Sequence, residues 1–362
     1  MRKHRLLLIM AISISIILTG CFQGEQSLEE MDPPQDAEAV DNDLTSSIQS
    51  EDSEGENEEV TESEETAEEK TVERELYLID SNGMVASQTL ELPIPESKEV
   101  ATQVLEYLVK DGPVTQMLPN GFQAVLPADT EVLGLELEED GTLIVDLSEE
   151  FTEYDAKEEI KILEAMTYTL TQFENVEQVK LWVNGHEQEV MPVNGTPIGD
   201  GYSRANGINV TESDNIDLIN SKAVTMYFPA EHDDNQYFVP VTQHVKAENG
   251  DALQAIVDSL VDGPGYVTNL MHVFNAGAQL VETPNLQNGV LDLVFNENVL
   301  QDMDNSVISD EVMETLVRTL TEQQDVEAVN VRVENVEQLV NENGEAYSEP
   351  VTKETFLPSE KF

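Results

Sequence analysis

Residues 163–185, LEAMTYTLTQFENVEQVKLWVNG, align without a gap on residues 313–335, METLVRTLTEQQDVEAVNVRVEN, at an offset of 150. Glu164/Glu314, Thr169/Thr319, Leu170/Leu320, Thr171/Thr321, Val176/Val326, Glu177/Glu327, Val179/Val329 and Val183/Val333 are identical pairs. Upstream, Leu108-Val109-Lys110-Asp111-Gly112-Pro113 is answered by Leu260-Val261-Asp262-Gly263-Pro264, and Asp140-Gly141-Thr142-Leu143 by Asn288-Gly289-Val290-Leu291. The blocks keep their order in both halves. A chain that writes one pattern twice is constrained to two copies of one unit.

Periodicity gives both copies the same element order. In the first, residues 75–80 and 84–92 alternate as strands around the turn Ser81-Asn82-Gly83. Helical spacing from Ser97 to Val109 puts Val100, Ala101, Val104, Leu105 and Leu108 on one face, and Asp111-Gly112-Pro113 stops it. A hairpin of 131–137 and 142–147 follows, then a helix from Glu149 or Tyr154 to Phe173, with Ser148 as its expected cap, and a closing strand at 178–183. The second copy reads as strands 222–229 and 236–241, a helix over Asn249–Val261, strands 279–283 and 290–295, a helix near Ser309–Glu322 and a strand at 327–333. The expected fold class is α+β: two tandem two-layer α/β sandwiches, each with two helices on one face of a mixed or antiparallel sheet. The expected organisation is a first domain over 75–195, a connector over 196–218 rich in Gly, Asn, Asp and Ser, and a second domain over 219–356.

The N-terminus predicts an address and an anchor. Arg2, Lys3 and Arg5 precede an apolar run, Leu6 to Leu18, that is too short to span a bilayer, and residues 1–20 read as a secretory signal. Leu18-Thr19-Gly20-Cys21 resembles the lipobox of bacterial lipoproteins. That resemblance implies a diacylglyceryl group on Cys21, cleavage before it, and attachment to the lipid bilayer on the extracytoplasmic face. Two or three acyl chains make a stable anchor. Residues 21–74, with runs such as Glu51-Asp52-Ser53-Glu54-Gly55-Glu56, lack apolar periodicity and read as an acidic disordered tether.

Charge narrows the partners. With 74 Asp+Glu against 17 Lys+Arg the formal net charge is -57. No basic cluster exists beyond the first five residues, so nucleic acid is excluded. Such a surface resists self-association. The tandem is expected to be monomeric in dilute buffer, and to need a basic partner, divalent cations or a local apolar contact to pack. A single Cys excludes an internal disulfide framework and a Cys-based zinc site.

The block from Leu108 to Phe151 carries a family resemblance. It holds Gly112-Pro113, then Leu126-Pro127-Ala128-Asp129-Thr130, then Asp140-Gly141-Thr142-Leu143-Ile144-Val145-Asp146-Leu147-Ser148-Glu149-Glu150-Phe151. This is similar to the GerM domain of sporulation and spore-germination proteins. The second copy keeps Gly263-Pro264 and Asn288-Gly289-Val290-Leu291, but has Val294-Phe295-Asn296 where the first has Asp146-Leu147-Ser148. The resemblance implies small modules like ring-building motifs, no enzymatic activity and no cofactor. It also implies protein partners in a transenvelope complex between mother cell and forespore, with the protein on the outer forespore membrane facing the intermembrane space.

Reactive constellations are sparse. His186-Glu187-Gln188-Glu189 lacks the second histidine of a zinc-protease helix. His232-Asp233-Asp234-Asn235 falls at an expected hairpin turn, where such residues serve geometry. Asp302-Met303-Asp304-Asn305 begins like a calcium loop, but has Val307 and Met313 where Gly and Glu belong. His244 and His272 have no nucleophile near them in the pattern, and no phosphate or dinucleotide fingerprint appears. No catalytic or metal residues are assigned, and Cys21 is the one site residue named. The leading expectation is a membrane-anchored sporulation and germination scaffold. The alternative is an extracytoplasmic ligand-binding or sensing lipoprotein with a cleft between its two lobes; a cell-wall enzyme stands well behind both.

Overall fold

The computed structural model describes residues 70–95, 100–210, 221–246, 252–265 and 269–356. Cys21, the lipobox, the acidic tether and the expected helix start at Ser97 lie outside the described residues.

The first copy opens with a hairpin, β1 (Thr71–Ile79) against β2 (Val85–Pro93). Its turn is drawn in by Asp80, whose carboxylate accepts from the N–H groups of Asn82 at 2.9 Å and Met84 at 2.8 Å. Helix α1 (Val100–Glu106) buries Ala101, Val104 and Leu105. Strand β3 (Val132–Leu137) pairs antiparallel with β4 (Thr142–Leu147). Strand β4 runs parallel to β5 (Gln178–Val183). A parallel pair needs a crossover, and α2 (Glu159–Leu170) supplies it. The short β6 (His186–Glu187) and β7 (Tyr202–Ser203) both pair antiparallel with β5.

The second copy repeats this plan. A longer hairpin of β8 (Ser221–His232) and β9 (Asn235–Lys246) leads to α3 (Ala252–Asp262). Then come β10 (Asn285–Gln287), β11 (Val290–Phe295), α4 (Asp310–Leu320), β12 (Ala328–Val333) and β13 (Val351–Thr352). Their sheet order is β10-β11-β12-β13, and β11 and β12 run parallel.

The α+β class and the duplication are as the sequence implies, with a refinement in layering. Each copy divides its strands between a separate hairpin and a mixed sheet. Helix α2 packs on β1 and β2 on one side and on β5 on another; α4 packs likewise on β8 and β12. Such helices must be covered nearly all round, and α2 is: Ile162 through Leu170 are all buried. Two threonines of the repeat settle how. The outward backbone N–H of Tyr77 donates to Thr169 Oγ1 at 3.0 Å, and that of Tyr227 to Thr319 Oγ1, also at 3.0 Å. Each helix thereby satisfies a strand group that would otherwise be buried unpaired.

Local expectations also shift. Residues Glu149–Thr152 form one 3-10 turn, and α2 begins at Glu159. Ser148 makes no side-chain cap bond; its Oγ accepts from Glu131 N at 3.0 Å and closes β3 onto β4. The expected strand at 279–283 reduces to a bridge between Leu280 and Phe295, with β10 forming after Pro284, which cannot donate to a ladder. Strands β8 and β9 extend through Pro229 and Pro240, tolerated because their missing N–H groups face away from the partner strand.

Candidate functional site: the seam between the two copies

Both copies belong to one compact body, and the side chains that join them form a buried polar cluster. Strand β2 runs alongside β9 without a ladder between them. Tyr77 and Tyr227, equivalent positions of the repeat, meet with their hydroxyls 3.4 Å apart. The seam is nearly self-complementary. Arg318 of α4 reaches Glu75 of β1, while its counterpart Tyr168 of α2 reaches Thr225 of β8, the counterpart of Glu75, at 3.2 Å. This is the contact pattern of a twofold interface, here within one chain.

Two arginines carry most of the charge. Arg318 Nη1 lies 3.0 Å from Glu75 Oε1 and Nε lies 2.6 Å from Glu314 Oε1, with the guanidinium 4.9 Å from the Phe238 ring centre. Arg318 is 8% and Glu75 3% exposed, so the ion pair is screened little by water. Arg204, from the connector, bonds Glu322 Oε1 at 2.8 Å, Tyr168 O at 3.2 Å and Thr171 Oγ1 at 2.9 Å, and stacks 4.5 Å from the Tyr168 ring centre. Burial works against the Glu322 carboxylate, but Arg204 and Lys353 beside it outweigh burial and hold its pKa below the ordinary value.

Asn209 is the other connector contribution. Its side chain accepts from Val85 N at 2.9 Å and donates to Val85 O and Pro240 O, both at 2.7 Å. It thus spans the gap between β2 and β9 as a strand would. Beside it, Ile208 N donates to Thr242 Oγ1 and Ile208 O accepts from Thr242 N, both at 2.9 Å. The Asn209 N–H donates to Glu164, and burial pushes the Glu164 carboxyl up to about 7, against the weaker pull of that bond and of Lys161. Glu314, its counterpart, is also raised by burial, though Arg318 opposes the rise.

Past Asn209 the two strands bound a cleft of ≈ 450 Å³, with Ser87 and Thr89 on one wall, Gln236 and Phe238 on the other, and Asp310, Glu311, Glu314 and Glu342 around it.

The residues singled out in the sequence scatter. His186 is exposed on β6, and Glu187 next to it pairs with Lys180. His232 to Asn235 turn the β8–β9 hairpin, with Asp233 at φ 53 and His232 Nδ1 3.2 Å from Ser81 Oγ. The Asp302 carboxylate accepts from the backbone of Asp304 and Asn305 and from the Asn305 amide, closing its own loop. His244 Nδ1 is enclosed without a hydrogen bond among the described residues, and His272 Nε2 lies 2.7 Å from Val261 O at the end of α3. No three acidic, His or Cys side chains among the described residues come together as a metal site requires. Sequence reasoning missed Arg204, Asn209, Glu164 and Arg318. A signal existed for the last two: Glu164/Glu314 is an identical pair of charged residues on a predicted helix, and Tyr168/Arg318 exchanges an aromatic side chain for a charged one on the same helix.

Fold and seam define a class of protein: two homologous α+β units fused through a buried polar interface. The sequence model of the Germane family, described as sporulation and spore germination, matches residues 75–189 and 225–339. The spore germination protein GerM of Bacillus subtilis (strain 168) is 42% identical over 357 residues, 94% of each chain. The solved tandem GerMN domains of the sporulation protein GerM from Bacillus subtilis match with a TM-score of 0.72 at 46% identity, covering 78% of this chain and 98% of that one. The chain belongs to the Germane family.

Proposed function

We propose that this protein is a non-catalytic lipoprotein of sporulation and spore germination, held to the membrane through Cys21, that helps assemble the transenvelope complex between mother cell and forespore. The observation that carries the reading is the seam. Two ion pairs, Arg204 with Glu322 and Arg318 with Glu75, join the copies within one compact body. A joined pair of this kind suits a scaffold, because a partner that docks on one unit is tied to the other. The Germane membership and the GerM relative support the sporulation setting, and the lipobox-like Leu18-Thr19-Gly20-Cys21 supports the anchor.

The test is genetic and biochemical. Deletion lowers the yield of heat-resistant, germination-competent spores, and the wild-type gene restores it; normal spores from the deletion strain sink the proposal. Cys21→Ala abolishes palmitate labelling and releases the protein from membranes; continued labelling refutes the anchor.

A further inference from the structure

Asn-Gly is the pair of residues most open to reaction of a chain with itself. With no Cβ on the second residue, its backbone nitrogen can close on the Asn side-chain carbonyl carbon. The sequence holds eight such pairs, of which that at Asn249 lies outside the described residues. In five of the other seven the Gly N–H is engaged. Gly83 donates to Asp80 O and Gly185 to Asp146 Oδ1, both at 2.9 Å; Gly195 donates to Met191 O at 3.1 Å; Gly207 donates to Arg204 O and Gly344 to Asn341 O, both at 3.0 Å. Such a nitrogen must give up a hydrogen bond before it can attack. At Asn288 the Gly289 N–H is unbonded among the described residues, but Gly289 O is held by Glu327 N at 2.7 Å and Ala328 N at 3.1 Å. Gly121 alone of the seven has neither its N–H nor its C=O in a hydrogen bond among the described residues; Phe122 N, donating to Pro119 O at 3.1 Å, closes the turn around it. Asn120, the residue before it, is exposed to water.

We infer that Asn120 is a site of self-modification, at which loss of the side-chain amide turns a contact between the two copies into a repulsion. The contact is on the page. The β8–β9 turn of the second copy touches the first copy through His232, whose Nδ1 lies 3.2 Å from Ser81 Oγ, and through Asp233, whose Oδ2 accepts from Asn120 Nδ2 at 3.4 Å. The reaction needs water as its one co-reactant. The Gly121 nitrogen passes its proton to water and bonds to Asn120 Cγ. The Cγ–Nδ2 bond breaks, and Nδ2 leaves as ammonia with a proton returned from water. The five-membered imide then takes up one water. Opening at Cγ restores the main chain and leaves an aspartate; opening at the main-chain carbonyl leaves an isoaspartate, with the chain running through the former side chain. Either product sets a carboxylate where an N–H had faced Asp233, and like charges repel where a donor had met an acceptor.

The experiment ages the purified full chain, in detergent, in mildly basic buffer made with heavy-oxygen water, and maps its peptides by mass spectrometry. The peptide holding Asn120 is expected to lose ammonia and gain labelled oxygen first, about fivefold or more faster than those holding Asn82, Asn184, Asn194, Asn206 and Asn343. In urea, where the turns are gone, the same pairs are expected to convert at rates within about twofold of one another. Asn120→Asp reproduces one product, and Asn120→Gln keeps an amide that closes such a ring far less readily. In low salt the Asp variant is expected to unfold about 1–2 °C below the Gln variant, and in high salt the two converge. An unchanged Asn120 peptide, or conversion of one of the five bonded pairs ahead of it, overturns the site. The same ranking of rates in urea as in buffer overturns the part given to the fold. Thermal midpoints that coincide in low salt, or that differ equally at every salt concentration, overturn the repulsion.

Discussion

Glu164 is a buried carboxyl without a cation in bonding distance among the described residues, and replacing it with glutamine has a signed, pH-dependent consequence. The side chain is 4% exposed. Its pKa stands at about 7 in the folded chain against 4.5 ordinarily, because burial penalises the charged form. The groups around it are Lys161 and Tyr168 on α2, Tyr202 on β7 and the Asn209 N–H. As pH rises through 4.5 the unfolded chain gives up this proton first, while the folded chain retains it. Stability is therefore lost between about pH 4.5 and 7 and is level above that. At about 1.4 kcal/mol per pKa unit, the full shift corresponds to about 3 kcal/mol. The substituted amide keeps an oxygen for the Asn209 N–H and never ionises. Glu164→Gln is expected to gain about 2–3 kcal/mol on the wild type between about pH 4 and pH 8. Urea unfolding followed by the fluorescence of Trp182, in acid, near pH 6 and in mild base, measures it. Any pH-independent offset from the added amide donors cancels in the comparison. A difference between the two proteins that is flat with pH, or larger in acid, refutes the placement of Glu164 as a buried, unpaired carboxyl.

Three other outcomes follow from the same geometry. Arg318→Met leaves Glu75 and Glu314 without their cation and is expected to lower unfolding free energy by about 3–5 kcal/mol; a loss under about 1 kcal/mol in urea titration contradicts the buried pair. Gly121 sits at φ +85, with an added Cβ 2.5 Å from the His232 ring. Gly121→Ala should therefore lower thermal stability by about 1–3 kcal/mol, and His232→Ala on the same background should restore the steric part but not the backbone part. Finally, sedimentation of residues 22–362 should give a monomer in dilute buffer, as the excess of 74 Asp+Glu over 17 Lys+Arg in the chain favours; stable rings of the chain alone would contradict that.

The legible parts of this protein were those written in short-range periodicity. Helices α2 and α4 and strands β5 and β12 lie in or overlap the matching stretches 163–185 and 313–335, because a buried face imposes its spacing on the residues that fill it. Elements without a fully buried face were harder. The Glu149–Thr152 turn passed for a helix start, since Ser148 and two acids mimic a cap, and Ser148 bonds Glu131, seventeen residues upstream, where no local pattern points.

By itself the sequence determined the duplication, the α+β class, the acidity and the lipobox-like Cys21. Only the tertiary structure decided how the copies meet. Arg204 and Asn209 lie in a segment whose Gly, Asn and Ser content spells loop, yet both are structural members of the seam. Glu164 and Glu314 are the same residue at the same repeat position, yet one faces Tyr168 and Tyr202 and the other an arginine. The physical reason is common to both cases. A polar side chain's role is set by the partner that desolvates or pairs it: Arg204 meets Glu322 118 residues away, Asn209 meets Val85 124 residues away, and the Arg318 that pairs Glu314 on its own helix is itself held by Glu75, 243 residues away, where periodicity carries no record of them.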